Sequence, residues 1–446
     1  MIGVRFGAGR SSQSYGHRAF LPKTAYNPRP LPMLRQPPAS RGSRIKENIL
    51  ELSKRVQAIK PSPTLAVTAR AAKLKAEGKD IIGLGAGEPD FDTPQHIKDA
   101  GIAAINRGFT KYTAVGGTPS LKQAVIAKFK RDNGLDYTPK QILVSCGGKQ
   151  SFFNLALAFI NPGDEVIIPA PYWVSYPDII IIAEGKPVIV QAGIEQGFKM
   201  TAAQLESAIT PKTKMVVINS PSNPSGAVYT LEDLQALGEV LRKHPNILIA
   251  TDDMYEHVAL TDAKFANILN ACPDLYPRTM VLNGVSKAYS MTGWRIGYAA
   301  GPENIITAME NVQSQSTSNP TSISQVAAEA ALNGDQGCIA PMVKAFRERH
   351  LFVVNGLNSI PGVKCIMAGG AFYAFPDARG AIAALHKKGV LKEATDLALS
   401  EYLLVEAGVA VVPGSAFGSE GYMRLSFATS MDNLSKALER IAKALS

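Results

Sequence analysis

The sequence predicts an α/β protein: a mostly parallel sheet covered by helices on both faces, with a smaller α+β domain beside it. Three observations predict it. From about residue 95, short β-branched runs alternate with amphipathic helical stretches. Those runs are continuously apolar, as in sheets buried on both faces. The final third changes character, with long helical patterns followed by short strand patterns bounded by Gly and Pro.

The elements follow in order. "TPQHIKDAGIAAINRG" (93–108) has helical spacing and a Gly stop, and "SLKQAVIAKFKRDNG" (120–134) is a second amphipathic helix ending at Asn-Gly. Seven strand-like runs come next: "QILVSCGG", "DEVIIPAP", "KPVIVQAG", "KMVVINSPSNPSG", "NILIATDD", "TMVLNGVSK" and "RIGYAAG". Helical stretches such as "TLEDLQALGEVLRKH" separate most of them. Beyond residue 320, "SQVAAEAALNG" and "MVKAFRERHLFVVNGLNSI" read as long helices. "GAFYAFPD", "VAVVPGSAFG" and "YMRLSFA" read as short strands, and "NLSKALERIAKAL" as a last helix. The implied domains are a basic extension (1–46), a segment joining the small domain (47–94), a large domain (95–330) and the rest of the small domain (331–446).

Composition excludes several classes. The nearest candidate for a membrane span, residues 179–183, has the length of a strand, far below the roughly 20 residues that span a bilayer. The net charge is +10, but residues 1–46 hold seven Arg and two Lys with no acid. The remaining 400 residues are close to neutral, so a nucleic-acid reading based on overall charge fails. The basic extension is rich in Ser, Pro and Gly, and resembles an organelle transit peptide. The expected location is therefore cytoplasmic, or a plastid or mitochondrion if that segment is a targeting signal. Cys146, Cys272, Cys338 and Cys365 lie too far apart for a zinc or disulfide framework, and the six histidines form no ligand motif. No metal is expected.

In open parallel sheets, ligands bind beyond the carboxyl ends of the strands. After "QILVS" comes Cys146-Gly147-Gly148-Lys149, opening a helix whose backbone N–H groups suit an anion; the same Gly pair also suits a plain tight turn. After "VIIPAP" comes Trp173, which suits stacking on a flat ring as well as core filling. After "VVINSP" comes Asn223, a donor for a ligand oxygen or a turn residue. After "NILIAT" come Asp252 and Tyr255. A carboxylate at the mouth of a buried strand needs a cation. After "MVLNGV" come Ser286 and Lys287, and Arg295 opens the next run. A lysine with apolar neighbours and a nearby cation loses its proton more readily and becomes an amine nucleophile. Together these groups describe one ligand: a planar ring with a basic nitrogen, a phenolic oxygen, a phosphate and an aldehyde. That ligand is pyridoxal phosphate. Asp252 would keep its ring nitrogen protonated, Asn223 and Tyr255 would bind the ring oxygen, and Trp173 would stack. Gly148, Ser286 and Arg295 would cup the phosphate, and Lys287 would take the aldehyde.

"SPSNPSG", "TDDMYEH" and "NGVSKAYSMTGWRIGY", in that order, resemble the class I aminotransferases of pyridoxal-phosphate fold type I. The resemblance runs from about residue 49 to the C-terminus. "KPSPT", "AGEPDFDTP", "KYTAVGG", "CGGKQSFFN", "PAPYWVSYP", "GAFYAF" and "YMRLSFATS" look more narrowly like the prokaryotic-type aspartate aminotransferases, a group that includes plant plastid enzymes also accepting prephenate. The resemblance implies a three-layer large domain and Lys287 as the Schiff-base lysine that also moves the substrate proton. It implies that Arg424 clamps the substrate α-carboxylate, with Gly87 contributing a backbone contact to the same group. Lys149 would read the distal carboxylate of a dicarboxylic substrate, beside Thr64, and this Thr–Lys pair is associated with prephenate use. Tyr112 would reach the phosphate of a neighbouring subunit, so that a homodimer shares its sites. Two positions depart from the pattern. Asp253 stands where Glu is commoner, and Gly284 where some relatives have a phosphate-binding serine, which shifts weight to Ser286.

The resulting expectation is ping-pong, Schiff-base transamination of L-aspartate with 2-oxoglutarate, giving oxaloacetate and L-glutamate. Conversion of prephenate to arogenate is a possible second reaction. The alternative is another specificity on the same fold: aromatic, alanine or kynurenine. A synthase or lyase using the same cofactor is a further rival. A regulator carrying an upstream helix-turn-helix is disfavoured, because residues 1–48 are too short and proline-rich to supply one.

Overall fold

The computed structural model describes residues 50–61 and 63–446. The basic segment 1–46, with its targeting expectation, lies outside them. Twelve strands form among the described residues: β1 (Ile82–Gly83), β2 (Ile142–Ser145), β3 (Glu165–Ala170), β4 (Lys186–Gln191), β5 (Thr213–Asn219), β6 (Leu248–Asp252), β7 (Thr279–Gly284), β8 (Gly297–Ala300), β9 (Tyr373–Ala374), β10 (Val409–Ala410), β11 (Val412–Pro413) and β12 (Met423–Ser426). Strands β2–β8 correspond to the seven apolar runs expected from the sequence.

Those seven make one sheet in the order β2-β8-β7-β6-β5-β3-β4. Only β8 runs against its neighbours, pairing antiparallel with both β2 and β7. The apolar runs explain the layers. Successive side chains along a strand point to opposite faces, and both faces here are dry. Ile142, Val144, Ile167, Val216, Ile218, Ile249 and Val281 pack into one core. Their sequence neighbours Leu143, Val166, Ile168, Val217, Leu248 and Leu282 pack into the other. Helix Leu231–Arg242 is one of the covering helices. Thr230 accepts from the Asp233 N–H in a capping box, and acids fill the first turn.

Two smaller sheets accompany it. β11, β12 and β9 are antiparallel, while β1 pairs parallel with β10. The Ser426 N–H also donates to the Leu84 carbonyl. The segment after β1 is thereby held against the C-terminal strands, and it carries Gly85 and Gly87 to the site.

Most of the apolar run 179–183 lies in helix Ser175–Ile182, where Ile179 and Ile180 fill the core under the sheet. One expectation differs in detail. The helix expected over 120–134 is regular at Pro119–Lys128. It then loosens into a π-type turn at Phe129–Asn133, ended by left-handed Gly134 (φ 70°). No helix among the described residues is long and apolar enough to cross a membrane.

Candidate active site

β2, β3, β5, β6 and β7 point the same way, so the loops following them meet at one sheet edge. β8 runs backwards, so the residues preceding it arrive at that edge too. A cavity of about 480 Å³ lies there.

Lys287 follows β7. Its Nζ donates to the Gly87 carbonyl at 2.5 Å. The rings of Tyr255 and Phe372 lie 5.7 and 5.8 Å from it. The amine faces the cavity but is ringed by protein. Burial, reinforced by the Arg424 charge, lowers its pKa to about 8. That is the setting of an amine able to act as a nucleophile near neutral pH.

Asp252 is the last residue of β6. Tyr176 Oη donates to its Oδ2 at 2.5 Å, and the Met254 N–H donates to Oδ1 at 3.2 Å. It forms no ion pair among the described residues. Burial pushes its carboxyl upward, and the Tyr176 and Met254 hydrogen bonds oppose that push. A buried carboxylate in this position is suited to a cationic N–H on a ligand. Its neighbour Asp253 points away from the cavity, bonded to Thr251 and Asn267.

The anion-binding end is built on close backbone approach. Gly147 (φ 92°) caps helix Gly148–Phe159. A Cβ on Gly147 would sit 2.4 Å from Arg295 Nη2, and one on Gly297 would sit 2.2 Å from the Gly148 nitrogen. Glycine is therefore required for the helix N-terminus, Arg295 and β8 to converge. Arg295 is left-handed (φ 57°), and its guanidinium donates to the Thr292 and Cys146 carbonyls. Ser286 is buried and lines the same wall. At Gly284, a Cβ would meet Gly297 Cα and the Ile296 carbonyl at 3.1 Å, so a serine there would need the neighbouring backbone to give.

Arg424, in β12, also lines the cavity and is only 3% exposed. Nη1 donates to Asn223 Oδ1 at 2.9 Å and Nη2 to the Gly85 carbonyl at 2.6 Å. Its guanidinium lies over the Tyr373 and Phe417 rings, at 4.6 and 5.0 Å. Nε is buried without a partner. Tyr373 Oη and Tyr255 Oη are hydrogen-bonded at 2.8 Å. Trp173 lines the cavity with Lys149 Nζ 5.2 Å from its ring, and Thr64 enters from helix Pro63–Ala76.

Twelve of the thirteen expected residues line this one cavity: Thr64, Gly87, Gly148, Lys149, Trp173, Asn223, Asp252, Tyr255, Ser286, Lys287, Arg295 and Arg424. Tyr112 does not, and is 90% exposed. Sequence reasoning missed Asn219, Tyr373, Gly85 and Tyr176. Asn219 ends β5, and its Nδ2 donates to the Asp252 carbonyl while its Oδ1 accepts the Asn223 N–H. The strand-end rule could have found it. Tyr176 lies one helical turn past Trp173 and acts from behind Asp252, which no motif signals.

A buried amine, a carboxylate awaiting a cation, a glycine-lined anion cradle and a buried arginine with an unpaired N–H define a site for a ring-shaped, phosphorylated carbonyl cofactor and a carboxylate substrate. The family comparison agrees. Residues 79–441 match the model of aminotransferase class I and II, and the chain belongs to that family. Its cofactor is pyridoxal phosphate, which the residues present fit. The chain is 72% identical over 397 residues to the aspartate/prephenate aminotransferase of Nitrosomonas europaea, covering 89% of this chain and 100% of that one. It is 55% identical over 390 residues to the aspartate/prephenate aminotransferase of Cereibacter sphaeroides, covering 87% and 97%. Among solved structures, the aspartate aminotransferase of Rhizobium meliloti is similar at 50% identity and TM-score 0.84, covering 89% and 99%. That of Thermus thermophilus with maleate is similar at 43% identity and TM-score 0.83, covering 89% and 100%.

Proposed function

We propose that this chain transaminates L-aspartate with 2-oxoglutarate, giving oxaloacetate and L-glutamate, and that prephenate is a second amino acceptor giving arogenate. The observation that carries the reading is Lys287: an amine with a pKa near 8, set between Gly87 and Tyr255 and facing a cavity that also holds Asp252 and Arg424. The aspartate/prephenate aminotransferases that it resembles support aspartate and prephenate as substrates, and the similar Thermus thermophilus enzyme was solved with maleate, a dicarboxylate.

When bound, pyridoxal phosphate supplies an aldehyde and an electron-withdrawing ring. The residue roles are these. The Lys287 amine would hold the aldehyde and, once freed by the substrate amine, would be the base that takes the proton from the substrate α-carbon and returns it. Asp252 would accept a hydrogen bond from the protonated ring nitrogen, and Asn223 and Tyr255 would hold the ring oxygen. Trp173 would stack on the ring. Gly148, Ser286 and Arg295 would hold the phosphate with backbone and side-chain donors. Arg424 and the Gly87 backbone hold the α-carboxylate, and Lys149 beside Thr64 holds the distal carboxylate. Tyr112, exposed in one chain, completes the phosphate site of a second copy in a homodimer. The expected small domain, 47–94 with 331–446, is supported within the described residues by the β1–β10 pairing. The location follows from the mature N-terminus: a start near Lys46 supports transit-peptide cleavage to an organelle, and an intact Met1 contradicts it.

The test is kcat/KM of the purified protein for aspartate, glutamate, phenylalanine, alanine and prephenate. Aspartate slower than phenylalanine or alanine ends the assignment in favour of another specificity. Lys287→Ala should lose the visible absorbance of the bound cofactor. If wild type and variant look alike with cofactor supplied, the site reading is wrong.

A further inference from the structure

We propose that Tyr176 is a positioning residue for this site, fixing the Asp252 carboxylate through its hydroxyl and the Trp173 indole through its ring; the inference rests on the reading of Asp252 and Trp173 given above. Tyr176 is 1% exposed and sits in the first turn of helix Ser175–Ile182. Its Oη donates to Asp252 Oδ2 at 2.5 Å, the one side-chain hydrogen bond to that carboxylate among the described residues. Its ring meets Trp173 edge-on, with centroids 5.2 Å apart and planes at 84°. It also meets Phe152, in the helix that opens at the anion cradle, at 4.8 Å and 62°.

A buried tyrosine usually needs an acceptor, and a backbone carbonyl would serve. Here the acceptor is the cavity's own carboxylate, and the bond is charge-assisted. The chemistry follows from the competition around Asp252. Burial favours its protonated form, and the Tyr176 hydroxyl favours the carboxylate. A carboxylate held anionic can accept an N–H from the ring nitrogen; a carboxyl that has taken the proton leaves that nitrogen neutral. Tyr176 therefore controls on which side of the Asp252–ring pair the proton rests. It also holds the stacking indole against the same ring.

The test uses holoenzyme loaded with pyridoxal phosphate labelled with ¹⁵N in the ring. In Tyr176→Phe the ring-nitrogen resonance should move toward the unprotonated position at every pH from 6 to 9. The kcat for aspartate should fall about tenfold, the scale of one hydrogen bond to a charged group, with KM within about twofold. Replacing Tyr176 by 3,5-difluorotyrosine keeps the shape and strengthens the donor, and should move the resonance the other way. A wild-type resonance in fully loaded Tyr176→Phe overturns the proposal, whatever happens to kcat, because a packing role alone would leave the ring proton in place. If Tyr176→Phe does not fold, the fluorinated variant decides, and an unmoved resonance there overturns the proposal too. Wild-type protein that takes up no cofactor would instead sink the site reading itself.

Discussion

Arg424 Nη1 donates to Asn223 Oδ1 at 2.9 Å, tying β12 to the loop that follows β5. Its Nη2 is used by the Gly85 carbonyl and its Nε has no partner. Two of the five guanidinium N–H groups are used in this way, leaving three, the Nε–H among them, for a ligand. A lysine cannot reproduce that geometry. Arg424→Lys should raise KM for aspartate roughly tenfold or more, the scale of one lost charge-assisted bond. Steady-state kinetics with separate kcat and KM checks this, and an unchanged KM contradicts it.

The Lys287 amine predicts two pH effects. Uptake of pyridoxal phosphate by the apoprotein needs the neutral amine. Its rate should rise with a midpoint near pH 8, rather than near the ordinary lysine value. The Arg424 charge is part of the cause, so Arg424→Gln should move the midpoint upward. The second effect is on stability. Between the folded value near 8 and the higher unfolded value, the unfolded chain binds more protons, so stability rises with pH there. Below pH 8 the full cost of a buried charged amine is present. Apoprotein of Lys287→Met should therefore melt above wild type at pH 7, with the gap closing toward pH 10. Thermal melts across that range measure it, and a pH-independent gap excludes the linkage.

Gly147 and Gly148 are adjacent but unequal. A methyl on Gly147 meets the Arg295 guanidinium at 2.4 Å in a left-handed backbone (φ 92°), whereas one on Gly148 meets the end of the Met254 side chain, Cε, at 2.4 Å and the Asn283 carbonyl at an ordinary 3.9 Å. The first combines strain with displacement of a phosphate ligand; the second asks a flexible side chain to turn. Gly147→Ala should weaken pyridoxal phosphate binding more than Gly148→Ala does. Equilibrium titration of the two apoproteins decides the order, and equal affinities refute the distinction.

The strand-end rule made most of this site legible from sequence. Trp173, Asn223, Asp252 and Lys287 each sit at or just beyond a β-branched run, where a parallel sheet delivers its ligand-binding groups. Partners reached across the fold were not legible. The carbonyl that holds Lys287 belongs to Gly87, 200 positions away in the chain. Tyr176 was hidden because it touches Asp252 rather than the cavity.

Lys149 carries the remaining question, the choice of substrate. Its Nζ lies 5.2 Å from the Trp173 ring, and it lines the same cavity as Thr64 and Arg424. A substrate with two carboxylates can engage both cations, while phenylalanine and alanine have nothing for the second. Loss of the Lys149 charge should therefore act on one substrate class only. Lys149→Met keeps the aliphatic stem against Trp173 and removes the ammonium. It should lower kcat/KM for aspartate about tenfold, consistent with one charged contact. The value for alanine should stay within about twofold, and any prephenate activity should fall with that for aspartate. Equal losses for aspartate and alanine would show that Lys149 supports the pocket without reading the distal carboxylate. The dicarboxylate preference would then have to come from another residue, with Thr64 the first to replace.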